Sequence, residues 1–279
     1  MREMTKKEVQ QVSLDILKDV HEFCINNGIR YSLSGGTLLG AIRHDGFIPW
    51  DDDIDIQLPR PDYDRFIHSY VSEKGYKVCS PELREGKEKM MVYPCARVYD
   101  TKRTRVDTGV MPWITDEVGV WIDILPCDGI SAIEAEAKKH LDKIHILGKQ
   151  ARWAGIHRTP WSNIAKGKNK MSKIKFVTKK LITALFCLNN ALDKLIELRA
   201  KYDYDASDYF FAYTHYGMGE WQPKRNIETF ELHKFEDAML YIMSGYDANL
   251  HSLYGDYMVL PPENKRVSHD FNRYFWKED

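Results

Sequence analysis

Ser32-Leu-Ser-Gly-Gly-Thr-Leu-Leu-Gly-Ala-Ile-Arg-His-Asp-Gly-Phe-Ile-Pro-Trp-Asp-Asp-Asp-Ile-Asp-Ile56 is a glycine turn, a short helical run and an acidic strand in succession. Successive side chains of a strand alternate faces, so Asp53 and Asp55 project together while Ile54 and Ile56 face the core. Their Cα atoms stand about 6.5 to 7 Å apart along the strand. Carboxylates converging from that spacing can straddle two hard cations about 3.5 to 4 Å apart. Oxygen ligands of this kind suit Mg²⁺ or Mn²⁺ rather than zinc. Asp51 shares the parity of Asp53 and Asp55, whereas Asp52 is expected to point away or cap the turn. A plain solvated strand edge is the competing reading, but it has nothing to offset four carboxylates within five residues. Gly35 and Gly36, followed by Thr37, let backbone N–H groups approach a phosphate closely at a helix N-terminus.

The flanking chain alternates between helical and strand patterns. Val9, Val12, Leu14, Ile16, Val20 and Phe23 recur at helical spacing, and the run stops near Asn26-Asn27-Gly28, where a left-handed C-cap belongs. Ile29 to Leu33 reads as a strand, Thr37 to Arg43 as a short helix, and Asp53 to Leu58 as a half-buried strand ended by Pro59 and Pro61. A helix from Asp62 to Glu73 follows. Strands are expected near Tyr76 to Cys79, Met91 to Tyr99, Arg103 to Thr108 and Val118 to Leu125, and a helix from Ser131 to Trp153 with Glu134 and Glu136 in its early turns. Between His157 and Leu192 the chain carries Lys166, Lys168, Lys170, Lys173, Lys175, Lys179 and Lys180 and no acidic residue, interleaved with apolar residues. From Tyr209 onward, aromatics and Gly217, Gly219, Gly245 and Gly255 predict short pieces. The fold class is therefore α/β, of the α+β kind: a mixed sheet flanked by helices, with a basic helical insertion at 157–192 and an irregular C-terminal extension.

With 279 residues, 43% hydrophobic and 29% charged, the chain can bury one large core, and its net charge of -1 gives no global signature of a nucleic-acid binder. The first residues lack the apolar stretch of a secretory signal, which predicts a cytoplasmic protein. The longest apolar run, Leu181 to Leu188, falls far short of the roughly 20 residues of a membrane span. Cys24, Cys79, Cys95, Cys127 and Cys187 are scattered and odd in number, as reduced core thiols are.

Glycine turn, short helix and Asp-apolar-Asp strand together resemble the nucleotidyltransferase fold. The wider stretch through Arg43, His44, Gly46, Phe47, Pro49 and Trp50 resembles the LicD family. The resemblance extends to Trp121-Ile-Asp-Ile-Leu-Pro-Cys-Asp128 and to Leu253-Tyr-Gly-Asp-Tyr-Met-Val-Leu-Pro-Pro262, so it spans most of residues 1–279 as one catalytic domain, with 157–192 unanchored. It implies a third carboxylate from a neighbouring strand, for which Asp123 is the candidate and Asp51 its competitor, so that Asp53, Asp55 and Asp123 hold the metal. It also implies transfer of phosphocholine, or a related aminoethylphosphonate or polyol phosphate, from a donor such as CDP-choline to a glycan or lipid-linked glycan hydroxyl. One carboxylate, Asp51 included, would serve as base. Two rivals remain: transfer of a nucleotide from a nucleoside triphosphate, and a non-catalytic nucleotide-binding scaffold.

Several further residues are candidates by their chemistry. Arg43, His44 and Arg97 suit donor phosphates, since guanidinium groups match phosphate geometry. Trp50, Tyr93, Trp113 and Trp121 could stack a cytosine or enclose a quaternary ammonium. Asp128 is expected to serve the turn at Gly129, and Tyr254 to Tyr257 a packing turn. The basic segment reads equally as a solvated helix face and as a peripheral contact with an anionic membrane.

Overall fold

A computed structural model describes residues 1–83, 95–107, 118–156, 170–183, 188–214, 216–266 and 272–278. In chain order they form β1 (Arg2–Glu3), α1 (Lys6–Asn27), β2 (Ser32–Leu33), α2 (Gly35–His44), β3 (Asp55–Pro59), α3 (Arg60–Ser69), β4 (Lys77–Cys79), β5 (Ala96–Tyr99), β6 (Thr104–Asp107), β7 (Trp121–Ile130), α4 (Glu134–Ile156), α5 (Lys170–Thr183), α6 (Leu188–Arg199), β8 (Tyr209–Ala212), β9 (Gln222–Pro223), β10 (Phe230–Phe235), β11 (Ala238–Met243), α7 (Tyr246–Tyr254) and β12 (Arg273–Trp276). This is the expected mixed α/β class. Tyr93, Trp113 and residues 157–169 and 184–187 of the basic segment lie outside the described residues.

α1 begins at Thr5, whose hydroxyl accepts from the Glu8 amide while the Glu8 carboxylate accepts from the Thr5 amide, and it ends at Gly28 with φ 60°. Both ends thus satisfy backbone groups that the helix leaves open. The central sheet runs β2-β3-β7-β5-β4, with β8 and β9 continuing beside β7. β3 and β7 pair in parallel with Asp55 opposite Asp123, and β5 pairs antiparallel to β7 with Arg97 opposite the same Asp123. Partners directly opposite each other share a face. Asp55, Asp123 and Arg97 therefore form one row across three strands, while Ile54, Ile56, Ile122 and Ile124 are fully buried behind it.

Three expectations change. β7 does not stop before Pro126 but runs through it to Ile130, because its flanking partner switches there: β5 reaches only Ile124, and β8 takes over at Cys127. A proline without an N–H is tolerated at such a changeover. Asp128 consequently serves no turn. It is buried inside β7, between Arg60 of α3 (2.5 Å) and Arg199 of α6 (2.8 Å). β3 begins at Asp55 rather than Asp53 and is sealed on both faces beyond it, since the hairpin β10–β11 covers the sheet's other side. There the Met243 amide donates to Ser32 Oγ, and the Tyr241 amide to the Tyr31 hydroxyl. Pro59 and Pro61 end the strand as predicted, and α3 starts at once, Pro61 occupying the first turn where its missing N–H is harmless.

The C-terminal stretch is built of short elements that complete the body. The hairpin tip sits against the Asp45–Phe47 loop, where the Glu236 amide donates to the Asp45 carbonyl and the Glu236 carboxylate accepts from the Phe47 amide. A side chain on Gly46 would collide with that carboxylate. β12 lies between β1 and β6 in a second, three-stranded sheet. α4 and α6 pack together over β8, burying Ile130, Ala137, Leu141, Ile144, Leu195 and Phe211 in a separate apolar cluster. Among the described residues no helix is long and apolar enough to cross a membrane.

Candidate active site

α2 starts directly after β2, and its first amides have no helical partners. Ser34 stands at the N-cap position, but its hydroxyl donates to Gln57 Oε1 at 3.2 Å rather than capping the helix. Two carboxylates gather at this end. A methyl group on Gly35 would stand 3.5 Å from Asp55 Oδ2 and 3.7 Å from the Tyr254 hydroxyl, and one on Gly36 would stand 2.6 Å from Asp51 Oδ2. Gly35 also has φ 52°, in the left-handed region that favours glycine. The pair is thus required both by backbone conformation and by the close approach of acidic oxygens.

Asp55 is held by its backbone: its amide donates to Thr37 Oγ1 at 2.9 Å. Thr37 is buried and orients the strand entry, an alternative employment to the phosphate contact expected of it. Burial pushes the Asp55 carboxyl well above the ordinary carboxylate range, and the negative charges of Asp53, Asp123 and Asp51 add to that shift, with Arg97 opposing it. Asp123 is raised too, by burial first, and Arg97 works against the rise. The four aspartates therefore converge, although Asp51 and Asp53 precede the strand instead of belonging to it. The Asp52 amide donates to Asp51 Oδ1 at 3.2 Å, so in this turn it is the Asp51 carboxylate that accepts a backbone bond.

Arg97 departs from its expected role. Its guanidinium is buried and grips Asp123 through two nitrogens, Nε on one oxygen and Nη2 at 3.3 Å from the other, and it stacks on Trp121 at 4.4 Å. Trp121 is itself packed against Tyr274, ring centres 5.6 Å apart. Arg97 thus neutralises and positions Asp123. Trp50 likewise already carries a cation, the Arg266 guanidinium at 5.3 Å.

Arg43 and His44 do stand together. Arg43 Nη1 donates to the Tyr257 carbonyl at 2.6 Å, Nε lies 3.5 Å from His44 Nδ1, and the His44 ring is edge-on to Trp50 at 6.4 Å. Burial and the nearby Arg266 charge lower the pKa of Arg43, and burial and Arg43 lower that of His44. Cations that repel one another in this way form a natural seat for an anion. Sequence reasoning missed Arg266, for which no signal existed, and Tyr254, which lay within the quoted C-terminal motif but was assigned to packing. The Tyr254 hydroxyl accepts from that of Tyr216 at 3.0 Å, and burial raises its pKa.

Among the described residues no three acidic, histidine or cysteine side chains form a ready-made metal cage. The donor set nevertheless fits a hard divalent cation. Asp51, Asp53, Asp55 and Asp123 offer only oxygen, their charges converge against a glycine cradle that a Cβ would fill, and Arg97 opposes the build-up of charge.

Residues 28–152, which contain all four aspartates and Arg97, match the family described as LicD/FKTN/FKRP, nucleotidyltransferase domain. Over 282 residues, covering 96% of this chain and 97% of the other, the sequence is 32% identical to the lipopolysaccharide cholinephosphotransferase LicD of Haemophilus influenzae. A stretch of 31 residues, 11% of this chain and 6% of the other, is 62% identical to the ribitol 5-phosphate transferase FKRP of human and of mouse.

Proposed function

The chain belongs to the LicD family and is a phosphotransferase, and we propose that it carries phosphocholine, or a related aminoethylphosphonate or polyol phosphate, from a cytidine-nucleotide donor to a glycan hydroxyl. The two named relatives support this reading, since one transfers choline phosphate and the other ribitol 5-phosphate, both polar alcohols esterified to phosphate. The observation that carries it is the cross-strand row of Asp55, Asp123 and Arg97 facing the open start of α2. Oxygen ligands for a cation and the backbone amides of Gly35 and Gly36 for a phosphate would then share one rim.

Asp53, Asp55 and Asp123 would hold Mg²⁺ or Mn²⁺, two ions in the expected arrangement, which would supply neutralisation of the donor's phosphate oxygens. The amides of Gly35 and Gly36 bind a donor phosphate, and Arg43, His44 and Arg266 seat the anionic remainder. The acceptor oxygen attacks the phosphorus nearer the transferred alcohol, the bond from that phosphorus to the nucleotide oxygen breaks, and CMP leaves. One of Asp51, Asp53, Asp55 and Asp123 receives the acceptor's proton. Arg97 keeps Asp123 oriented throughout.

The deciding assay incubates the purified chain and Mg²⁺ with cytidine diphosphate conjugates of choline and ribitol, with a CMP-linked phosphonate, and separately with CTP or ATP, each with a glycan acceptor. CMP release tied to modification of the glycan is expected. Pyrophosphate release from CTP or ATP would replace this reading with nucleotidyl transfer, and absence of turnover with every donor would leave a nucleotide-binding scaffold.

A further inference from the structure

α5 turns a mixed side inward, on which Phe176 and Val177 are half-buried. Lys180 and Thr183 are buried, while Met171, Ile174, Leu181 and Ile182 are between 49% and 61% exposed. At 3.6 residues per turn these four and Thr178 fall on one arc, and the exposed Lys175 and Lys179 border it. Burial depresses the pKa of Lys180, so the orientation disfavours that charge as well as wetting apolar surface.

The exposed apolar surface continues onto α4. Ile146 and Trp153 lie seven residues apart on one helix face and are 55% and 49% exposed. Lys179 Nζ stands 5.9 Å from the Trp153 ring centre and joins α5 to α4. Ile146 borders a groove of about 800 Å³ against α6, whose apolar walls include Leu147 and Leu198 and whose rim carries Lys143, Lys194 and Lys201. Carboxylates near it, such as Glu197, are outnumbered, and residues 157–192 contain none.

We propose that α4, α5 and α6 form an interfacial docking surface for anionic phospholipid, with Met171, Ile174, Leu181, Ile182 and Trp153 entering the acyl boundary and the surrounding lysines meeting headgroup phosphates. An apolar stripe flanked by lysines and carrying a tryptophan is complementary to a negatively charged bilayer surface and to no neutral one. The surface also communicates with the candidate active site: α4 packs on the Gly217–Glu220 turn, and Tyr216 just before that turn reaches Tyr254 at the Gly35 rim. The proposal is independent of which donor the enzyme uses.

The test is co-sedimentation of the full chain with vesicles of equal parts phosphatidylglycerol and phosphatidylcholine, against vesicles of phosphatidylcholine alone, at low and high salt. Partition onto the anionic vesicles only, weakened by salt, is expected. Lys175→Gln and Lys179→Gln should each lower the partition coefficient about fivefold, and the Ile174→Ser/Leu181→Ser pair by roughly tenfold or more. Melting temperatures of Lys175→Gln and of the serine pair should stay near the wild-type value, because those side chains face solvent, whereas Lys179→Gln also loses the contact with Trp153. Failure to bind anionic vesicles, or equal binding to neutral ones, overturns the proposal. So does a wild-type dimer that the serine pair converts to monomer with vesicle binding unchanged, which would assign the face to a second copy of the chain.

Discussion

At Asp55, burial and three neighbouring aspartates push in the same direction, and Arg97 pushes back. A carboxylate so placed is strained without a cation and needed with one. Asp55→Asn is therefore expected to raise the melting temperature of the chain in a chelator by a few degrees while lowering CMP release about a thousandfold, a loss of about 4 kcal/mol of transition-state stabilisation. Melting curves in chelator and turnover at saturating donor check both halves, and wild-type turnover in the variant would remove Asp55 from the site. Asp53 and Asp55 could be paired from the sequence because alternation concerns neighbours in the chain, whereas Asp123 entered only with the family resemblance, and its place opposite Asp55 is set by strand pairing. Arg266 and Tyr254 were not readable, since folding brings them to Trp50 and to Gly35 respectively from about two hundred residues away.

The elements show the same division. α1, with its capping box and left-handed glycine, was legible in nearly its full extent, because caps are local chemistry. The β10–β11 hairpin was not. Its turn, Glu236–Asp237, lacks glycine and asparagine, and Glu236 holds φ 55° only because its amide and carboxylate are both anchored to the Asp45–Phe47 loop. Proline in β7 misled for a related reason: what makes Pro126 acceptable is an exchange of neighbours that no single strand encodes. The buried Arg60–Asp128–Arg199 bridge, which ties α3, β7 and α6 together, was hidden behind the same proline. Arg199→Met leaves Asp128 to Arg60 and should cost about 3 kcal/mol, whereas Asp128→Asn removes the charge that both guanidiniums share, Arg60 keeping Asp64 and Glu82, and should cost more, towards about 5 kcal/mol. Urea titrations of the two variants should give midpoints in that order below wild type, and the reverse order would show that Asp128 is not the hub.

For the whole molecule, two groups of side chains make stability depend on pH in opposite senses. The carboxyls of Asp55 and Asp123 are raised above the unfolded value of about 3.9. Their contribution is complete below that value and is lost as pH rises through the folded pKa. His140, lowered to about 4 by burial between Tyr202 and Phe211, contributes stability that is present above its unfolded pKa and lost as pH falls towards 4. The informative quantity is thus the difference in melting temperature between wild type and Asp55→Asn without metal, in which His140 cancels. Wild type should fall progressively behind the variant from acid to neutral pH, and Mg²⁺ should restore more of the deficit at neutral pH than at acid pH, because protons compete with the cation. A difference independent of pH would mean that Asp55 ionises as freely as it does in the unfolded chain. β12 carries one more implication. It is the strand between β1 and β6, and its Tyr274 backs the Trp121 ring on which Arg97 rests. Losing β12 would therefore unpair β1 and strip the backing from Trp121 at one stroke, so damage remote in the chain from Asp123 would loosen the guanidinium that orients it.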